Sequence, residues 1–251
     1  MSLASQRSHD YALLVQNWRK LAAKTGLKFT RFATVEGLSV FTVASPSRRG
    51  DTRETIYLSA GVHGDEAAPP WGLLEWAEEN TSLFRSHRFL IFPCFNPHGL
   101  MHNTRVDQRG VDINRTFHDE REPLIAAWKK ILDGRTISVA MCLHEDYDAQ
   151  GCYIYELTSR KENVGARILR ECSGIIPTDR RSSIDGRRMK NGHFVRRVAP
   201  EMPGVPEAIA LHNIGAPVSL TFESPSEFSL MDRVAVQKKF IQSALHHVLG
   251  I

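Results

Sequence analysis

Apolar positions along this chain switch period repeatedly, and each switch predicts an element. Tyr11, Leu14, Val15, Trp18, Leu21 and Ala22 recur at helical spacing, which predicts an amphipathic helix over 9–24. "LKFTRFAT" and "LSVFTVAS", separated by "VEG", alternate apolar with polar and predict a strand pair. "ETIYLSAGV" predicts a buried strand ending at His63. Pro69 and Pro70 then suit the first turn of a helix running to about Asn80. "HRFLIFPCF" predicts the next strand, and 96–120, rich in Asn, Asp, Arg and Gly, reads as loop. "REPLIAAWKKIL" predicts a helix, "RTISVAMCL" and "CYIYEL" predict strands, and 160–172 predicts a helix. Residues 173–203 read as irregular and basic. "PEAIALHN" then predicts a short helix, "APVSLTF" a strand, and 228–249 a long terminal helix.

Strands alternating with helices imply an α/β fold on a mostly parallel or mixed sheet. Such sheets place their sites at the carboxyl ends of strands. The chain has 251 residues, 42% of them hydrophobic, enough for one sizeable core, and residues 1–251 read as a single domain. The formal charge of +4 is too small an excess to mark a nucleic-acid binder, and within the basic stretch 179–197 only Phe194 offers a stacking ring. Cys94, Cys142, Cys152 and Cys172 form no CxxC pair, so free thiols and a reducing compartment are expected. "MSLASQRSHD" carries no apolar signal core, and no run reaches 18 apolar residues. The expectation is a cytoplasmic protein with no membrane or nucleic-acid partner, with export of a processed form left open.

Candidate chemistry gathers where the strands give out. "GVHGDE" places His63 and Glu66 three residues apart after one apolar run, and "AMCLHEDYD" places His144 after another. Two nitrogens and one carboxylate are the ligand set of a hydrolytic zinc site that keeps a position open for water. Glu223 follows "VSLTF" and is expected at a strand end, where a carboxylate near the metal can move protons. Arg105, Arg109 and Arg115 crowd the loop with Asn103 and Asn114, and guanidinium groups suit carboxylates and oxyanions.

Taken in order, "HGDE", "NPHG", "GVDINRTF", "LHE" and "TFESP" resemble the zinc carboxypeptidase family, over 63–223. The similarity is greatest to small bacterial members, with succinylglutamate desuccinylase and aspartoacylase as relatives. The resemblance implies a three-layer α/β/α sandwich around a mixed, roughly eight-stranded sheet, and one catalytic zinc held by His63, Glu66 and His144. It also implies that Asp112 orients the first ligand histidine, that Arg105 polarises the scissile carbonyl, that Asn114 and Arg115 grip a substrate carboxylate, and that Glu223 is the general base and acid. Arg109 receives no role and reads as surface charge. The family's digestive members close a late tyrosine over the substrate. No tyrosine follows Tyr155 here, and Tyr153 and Tyr155 read as buried strand aromatics.

The expected activity is hydrolysis of an amide beside a substrate carboxylate, with removal of a C-terminal residue from peptides, murein-type peptides included, placed first. An N-acyl amino acid deacylase and a zinc-dependent carboxylate binder without turnover are the alternatives. The basic stretch, with Arg180, Arg181, Arg187, Arg188, Lys190, Arg196 and Arg197, predicts a positive wall that favours acidic substrates. Against that, Asp146, Asp148 or Asp185 in the pocket would favour a basic residue.

Overall fold

The computed structural model describes residues 8–46, 51–184 and 186–251. Residues 1–7 of the N-terminal stretch that carries no apolar signal core, and Asp185, lie outside the described residues. The chain opens with α1 (Tyr11–Thr25), capped by the Asp10 carboxylate on Leu13 N at 2.8 Å and ended by Gly26 in the left-handed region. The hairpin β1 (Lys28–Val35) and β2 (Leu38–Ala44) follows, then β3 (Thr55–Ser59) and α2 (Ala68–Glu79), with proline in its first turn. The short helix α3 (Leu83–Ser86) leads into β4 (Arg88–Phe92).

The stretch 96–120 is not all loop. It contains α4 (Pro97–His102) and a 3₁₀ turn at Ile113–Arg115. Asn96 caps α4 by accepting from Gly99 N at 2.8 Å, and Pro97 sits in the first turn. "NPHG" is thus a helix start, which turn-forming residues disguised. After α5 (Pro123–Leu132) comes β5 (Ile137–Asp146), which runs through His144 rather than stopping before it. β6 (Tyr153–Thr158) is followed by α6 (Gly165–Cys172), shorter than its periodicity suggested. Its start is fixed by the buried Glu156 carboxylate, which accepts from Val164 N and Gly165 N at 3.1 and 2.8 Å. The irregular stretch 173–203 holds a small hairpin, β7 (Ser183–Ile184) and β8 (Arg187–Arg188), and the strand β9 (His193–Arg196). At two to four residues each, these strands are too short to show an apolar period. α7 (Glu207–Asn213), β10 (Val218–Pro225) and α8 (Leu230–Leu249) complete the chain.

Eight strands form one mixed sheet in the order β1-β2-β4-β3-β5-β10-β6-β9. β4, β3, β5 and β10 run parallel, whereas β1, β2 and β6 join antiparallel. Alternate residues of the central strands feed two cores. Ile56, Leu58, Met141, Leu143 and Phe222 pack against α1, α2, α6 and α8. Tyr57, Leu90, Ala140 and Cys142 pack on the other side against α5 and α7. That is the expected three-layer sandwich. All four cysteines are buried and free. Among the described residues, no helix is long and apolar enough to cross a membrane.

Candidate metal centre

His63 and Glu66 lie on the connection between β3 and α2, and two glycines shape it. Gly61 has φ +61°, and a side chain there would meet Cys94. A Cβ on Gly64 would fall 1.9 Å from the backbone of Gly99, so the loop can lie down only because both "HGDE" and "NPHG" bring glycine to the crossing. The next turn delivers Glu66 beneath His63. His144 comes from β5, and its strand neighbour in register on β10 is Glu223.

These three side chains are almost wholly buried, at 3% exposure for His63, 4% for Glu66 and 2% for His144. Their ligand atoms lie within 4.8 Å of one another. Both imidazoles turn Nδ1 to the same carboxylate: His63 to Glu66 Oε1 at 2.5 Å and His144 to Oε2 at 3.0 Å. A carboxylate flanked by two nitrogens that need a shared positive charge has the donor set and spacing to hold a metal cation, and the two-nitrogen, one-oxygen composition suits zinc. Asp112 Oδ1 takes the far nitrogen of His63, Nε2, at 3.2 Å, which fixes the ring and leaves Nδ1 facing Glu66.

The electrostatics agree with a cation-ready cluster. Burial alone would lower the His63 pKa, but Glu66 and Asp112 outweigh it and hold it at about 9. Burial alone would raise Glu66, but His63 and His144 hold it at about 2. Burial pushes Glu223 up to about 8, with Glu66 and Asp146 adding to the effect against His144 and Arg105.

A cavity of about 600 Å³ opens from this cluster along the sheet. Arg105, Asn114, Arg115 and Glu223 all line it together with His63 and Glu66, while His144 is buried against Glu66 and Asp112 stands behind His63. Arg105 is clamped to Asp112 through Nε at 3.2 Å and Nη2 at 3.1 Å, and its Nη1 approaches Glu66 to 4.0 Å. Arg115 braces on the Asn114 carbonyl at 3.0 Å. Arg109 turns away to Asp107, Glu122 and Glu36, as surface charge.

The two tyrosines are not only core residues. Tyr153 and Tyr155 line the cavity, and Tyr153 donates to Asp146 at 2.9 Å. Asp146 also holds Arg181 at 3.2 Å, so it is not a free acid. Tyr147, 81% exposed at the mouth, was not singled out in the sequence. Nor were three supporting residues. Gln237 from α8 donates to the His144 carbonyl at 2.8 Å. Glu145 accepts from Ala68 N at 2.9 Å and Arg233 at 2.7 Å, linking the strand that carries His144 to the start of α2. Glu207 gives its N–H to Asn114 Oδ1 at 2.9 Å, while its carboxylate accepts from Tyr57 and from Ser59. Only "LHED" carried a hint: an acid beside a candidate ligand is a common support.

Residues 52–130 match the sequence model of the succinylglutamate desuccinylase/aspartoacylase catalytic domain. That segment holds His63, Glu66, Arg105, Asp112, Asn114 and Arg115, and ends before His144 and Glu223. A search of the curated proteins finds no match. Among solved structures, a candidate metallopeptidase from Shewanella amazonensis has a TM-score of 0.85 at 19% identity, covering 96% of this chain and 94% of its own. Another from Shewanella baltica has a TM-score of 0.84 at 21% identity, covering 96% and 93%. A metallo-carboxypeptidase from Burkholderia cenocepacia has a TM-score of 0.70 at 15% identity, covering 95% of this chain and 69% of its own. The fold is therefore the mixed-sheet α/β architecture of the metallo-carboxypeptidases, and the 52–130 segment resembles that of their desuccinylase/aspartoacylase relatives.

Proposed function

We propose that this protein is a zinc-dependent amide hydrolase that removes a C-terminal residue from peptides. The observation that carries the reading is one site joining four things: the His63–Glu66–His144 cluster, Glu223 in register beside His144, and, lining the cavity that opens from the cluster, Arg105 at its edge and Arg115 with Asn114. Zinc bound there would supply Lewis-acid activation of water and of a carbonyl oxygen. Glu223 then takes the proton of the attacking water and returns it to the leaving nitrogen. Its burial favours the protonated form, which a carboxylate that must return a proton to a leaving group needs to reach. Arg105 lends its free guanidinium edge to the oxyanion, and Arg115 pairs with the substrate's terminal carboxylate. Asp112 keeps a proton on His63 Nε2, and so keeps Nδ1 free to ligate.

The family match over 52–130 favours a second reading, an N-acyl amino acid deacylase, because the residues it covers serve either reaction. A turnover screen separates the two. Blocked dipeptides ending in lysyl, aromatic and acidic residues are compared with N-acetylaspartate, N-succinylglutamate and a γ-glutamyl-diaminopimelate peptide, with and without chelator. Chelator-sensitive release of a C-terminal residue supports the peptidase. Cleavage confined to N-acyl amino acids moves the protein to the deacylase reading. A zinc-loaded protein that turns over none of these favours a substrate outside the screen or a carboxylate binder without turnover.

A further inference from the structure

The far end of the cavity is built by register. On its sheet face, Glu223 pairs with Tyr153, Thr221 with Tyr155 and Phe194, and Ser219 with Leu157 and Arg196. These are three successive rows leading away from the metal cluster. Each is two residues farther along, so the Arg196 row lies about 13 Å along the strand from Glu223. The middle row is an aromatic wall, with the Tyr155 and Phe194 rings stacked at 4.6 Å. Ala208 and Ile209 of α7 close one side, and half-buried Arg187 closes another.

Sorting the cavity's charges by whether they are already answered leaves an imbalance. Asp146 is taken by Arg181 and Tyr153, and Glu145 by Arg233. The Glu156 carboxylate is taken by His193 at 2.8 Å and by the start of α6. Asp148 is exposed at the mouth. Glu66 and Glu223 belong to the metal end. At the far end half-buried Arg187 and exposed Arg196 have no carboxylate partner among the described residues, and the walls beside them are neutral: Ser219, Thr221, Leu157 and Ala208. Cations facing a concave, partly apolar surface without a counter-ion attract an anion of matching position. Arg115 already answers one carboxylate near the metal end, so the anion suited to Arg187 and Arg196 is a second one on the same substrate residue.

We propose that the residue held in this cavity is acidic, with Arg196 and Arg187 binding its side-chain carboxylate while Arg115 binds its α-carboxylate. The inference rests on the hydrolase reading for the orientation of the substrate, but equilibrium binding tests it without turnover. Calorimetry on the zinc-loaded Glu223→Gln protein compares N-acetylglutamate, N-acetylphenylalanine and N-acetyllysine. Kinetics on the zinc-loaded wild type compares blocked dipeptides ending in Glu, Phe and Lys.

Glutamate should lead in binding, and in kcat/KM, by about tenfold over both others, the size of a charge-assisted contact shared between two guanidinium groups. In Arg196→Glu and Arg187→Glu the glutamate preference should fall by about the same factor and lysine should gain, with phenylalanine within about threefold of wild type. A wild-type preference for lysine or phenylalanine overturns the proposal. So does a charge reversal that weakens all three equally, which a misfolded pocket would produce. If glutamate binds best and no peptide is cleaved, the acidic pocket stands and the peptidase reading falls.

Discussion

His144 and Glu223 are register partners on adjacent parallel strands, β5 and β10. Neighbouring strands lie about 4.8 Å apart, and partners in register share a sheet face. The third candidate ligand and the candidate proton carrier therefore stand side by side on one sheet face from two rigid strands, with no loop needed to bring them together. Glu223→Gln keeps the size and removes the base. Turnover should fall by about 10²–10⁴-fold, while zinc content measured by mass spectrometry stays at the wild-type level. Wild-type activity in that variant removes Glu223 from the chemistry.

Metal binding should be linked to protons. Near pH 7 the His63 imidazole, held at about 9 by Glu66 and Asp112 against the effect of its burial, is protonated in the metal-free protein. A ligand nitrogen must be neutral. Calorimetry of zinc binding in buffers of different ionisation enthalpy should show proton release near neutrality that fades as pH rises past about 9, with affinity rising over the same range. Binding without proton release would place the ion elsewhere.

Asp112 touches no proposed ligand atom directly, only the back of His63. Asp112→Asn should weaken zinc affinity by about 10–100-fold by loosening the ring and its tautomer. Competition with a chromogenic chelator measures this. An unchanged affinity would show that the loop glycines alone hold His63.

Glu207 tests whether α7 positions the carboxylate grip. Its N–H occupies the acceptor end of the Asn114 amide and leaves the NH₂ end for substrate. Its own buried carboxylate is tied to Tyr57 and Ser59 of β3. Glu207→Ala should cost about 1–3 kcal/mol in denaturant unfolding, because two buried hydroxyls lose their acceptor. Glu207→Gln should cost less, and should raise KM more than it lowers kcat. Equal changes in kcat and KM would argue for a purely structural part.

Away from the site, Glu171 joins α6 to α8 by accepting from Lys239 at 2.9 Å, Ser243 at 2.7 Å and His247 at 2.7 Å. The hydrogen bond from Lys239, followed by that from Ser243, lowers its pKa from 4.5 to about 2. A depressed carboxyl pKa stabilises the fold above the ordinary value, and the gain is lost as pH falls from 4.5 toward 2. The group is one-third exposed, so the contribution is at most about 1 kcal/mol. Glu171→Gln should lower Tm by about 2–4 °C at neutral pH, with the difference closing in acid. An equal deficit at both pH values would assign the loss to packing.

Much of this architecture was legible in the chain because its core strands and helices are long and strongly patterned. Trp18 and Leu21, or Val139 and Met141, bury one face so completely that period alone reveals the element. His63, Glu66, His144 and Glu223 were legible because motif order and strand ends coincided. The rest failed for identifiable reasons. α4 begins with Asn-Pro and carries glycine, so its capping chemistry imitates a loop. β7, β8 and β9 are only two to four residues long, and hold their place by pairing rather than by hydrophobicity. Glu207 and Gln237 act across 93 residues of chain, a relation visible only once the sheet is assembled.

The most direct test of the central claim is zinc stoichiometry by equilibrium dialysis, on wild-type protein beside Glu66→Gln and His144→Ala, with far-ultraviolet circular dichroism confirming that each is folded. The expected result is one equivalent in the wild type, removed by chelator and sharply reduced in both variants. A wild type that binds no zinc, or folded variants that bind it as well as the wild type does, would contradict the assignment of His63, Glu66 and His144 as a metal centre.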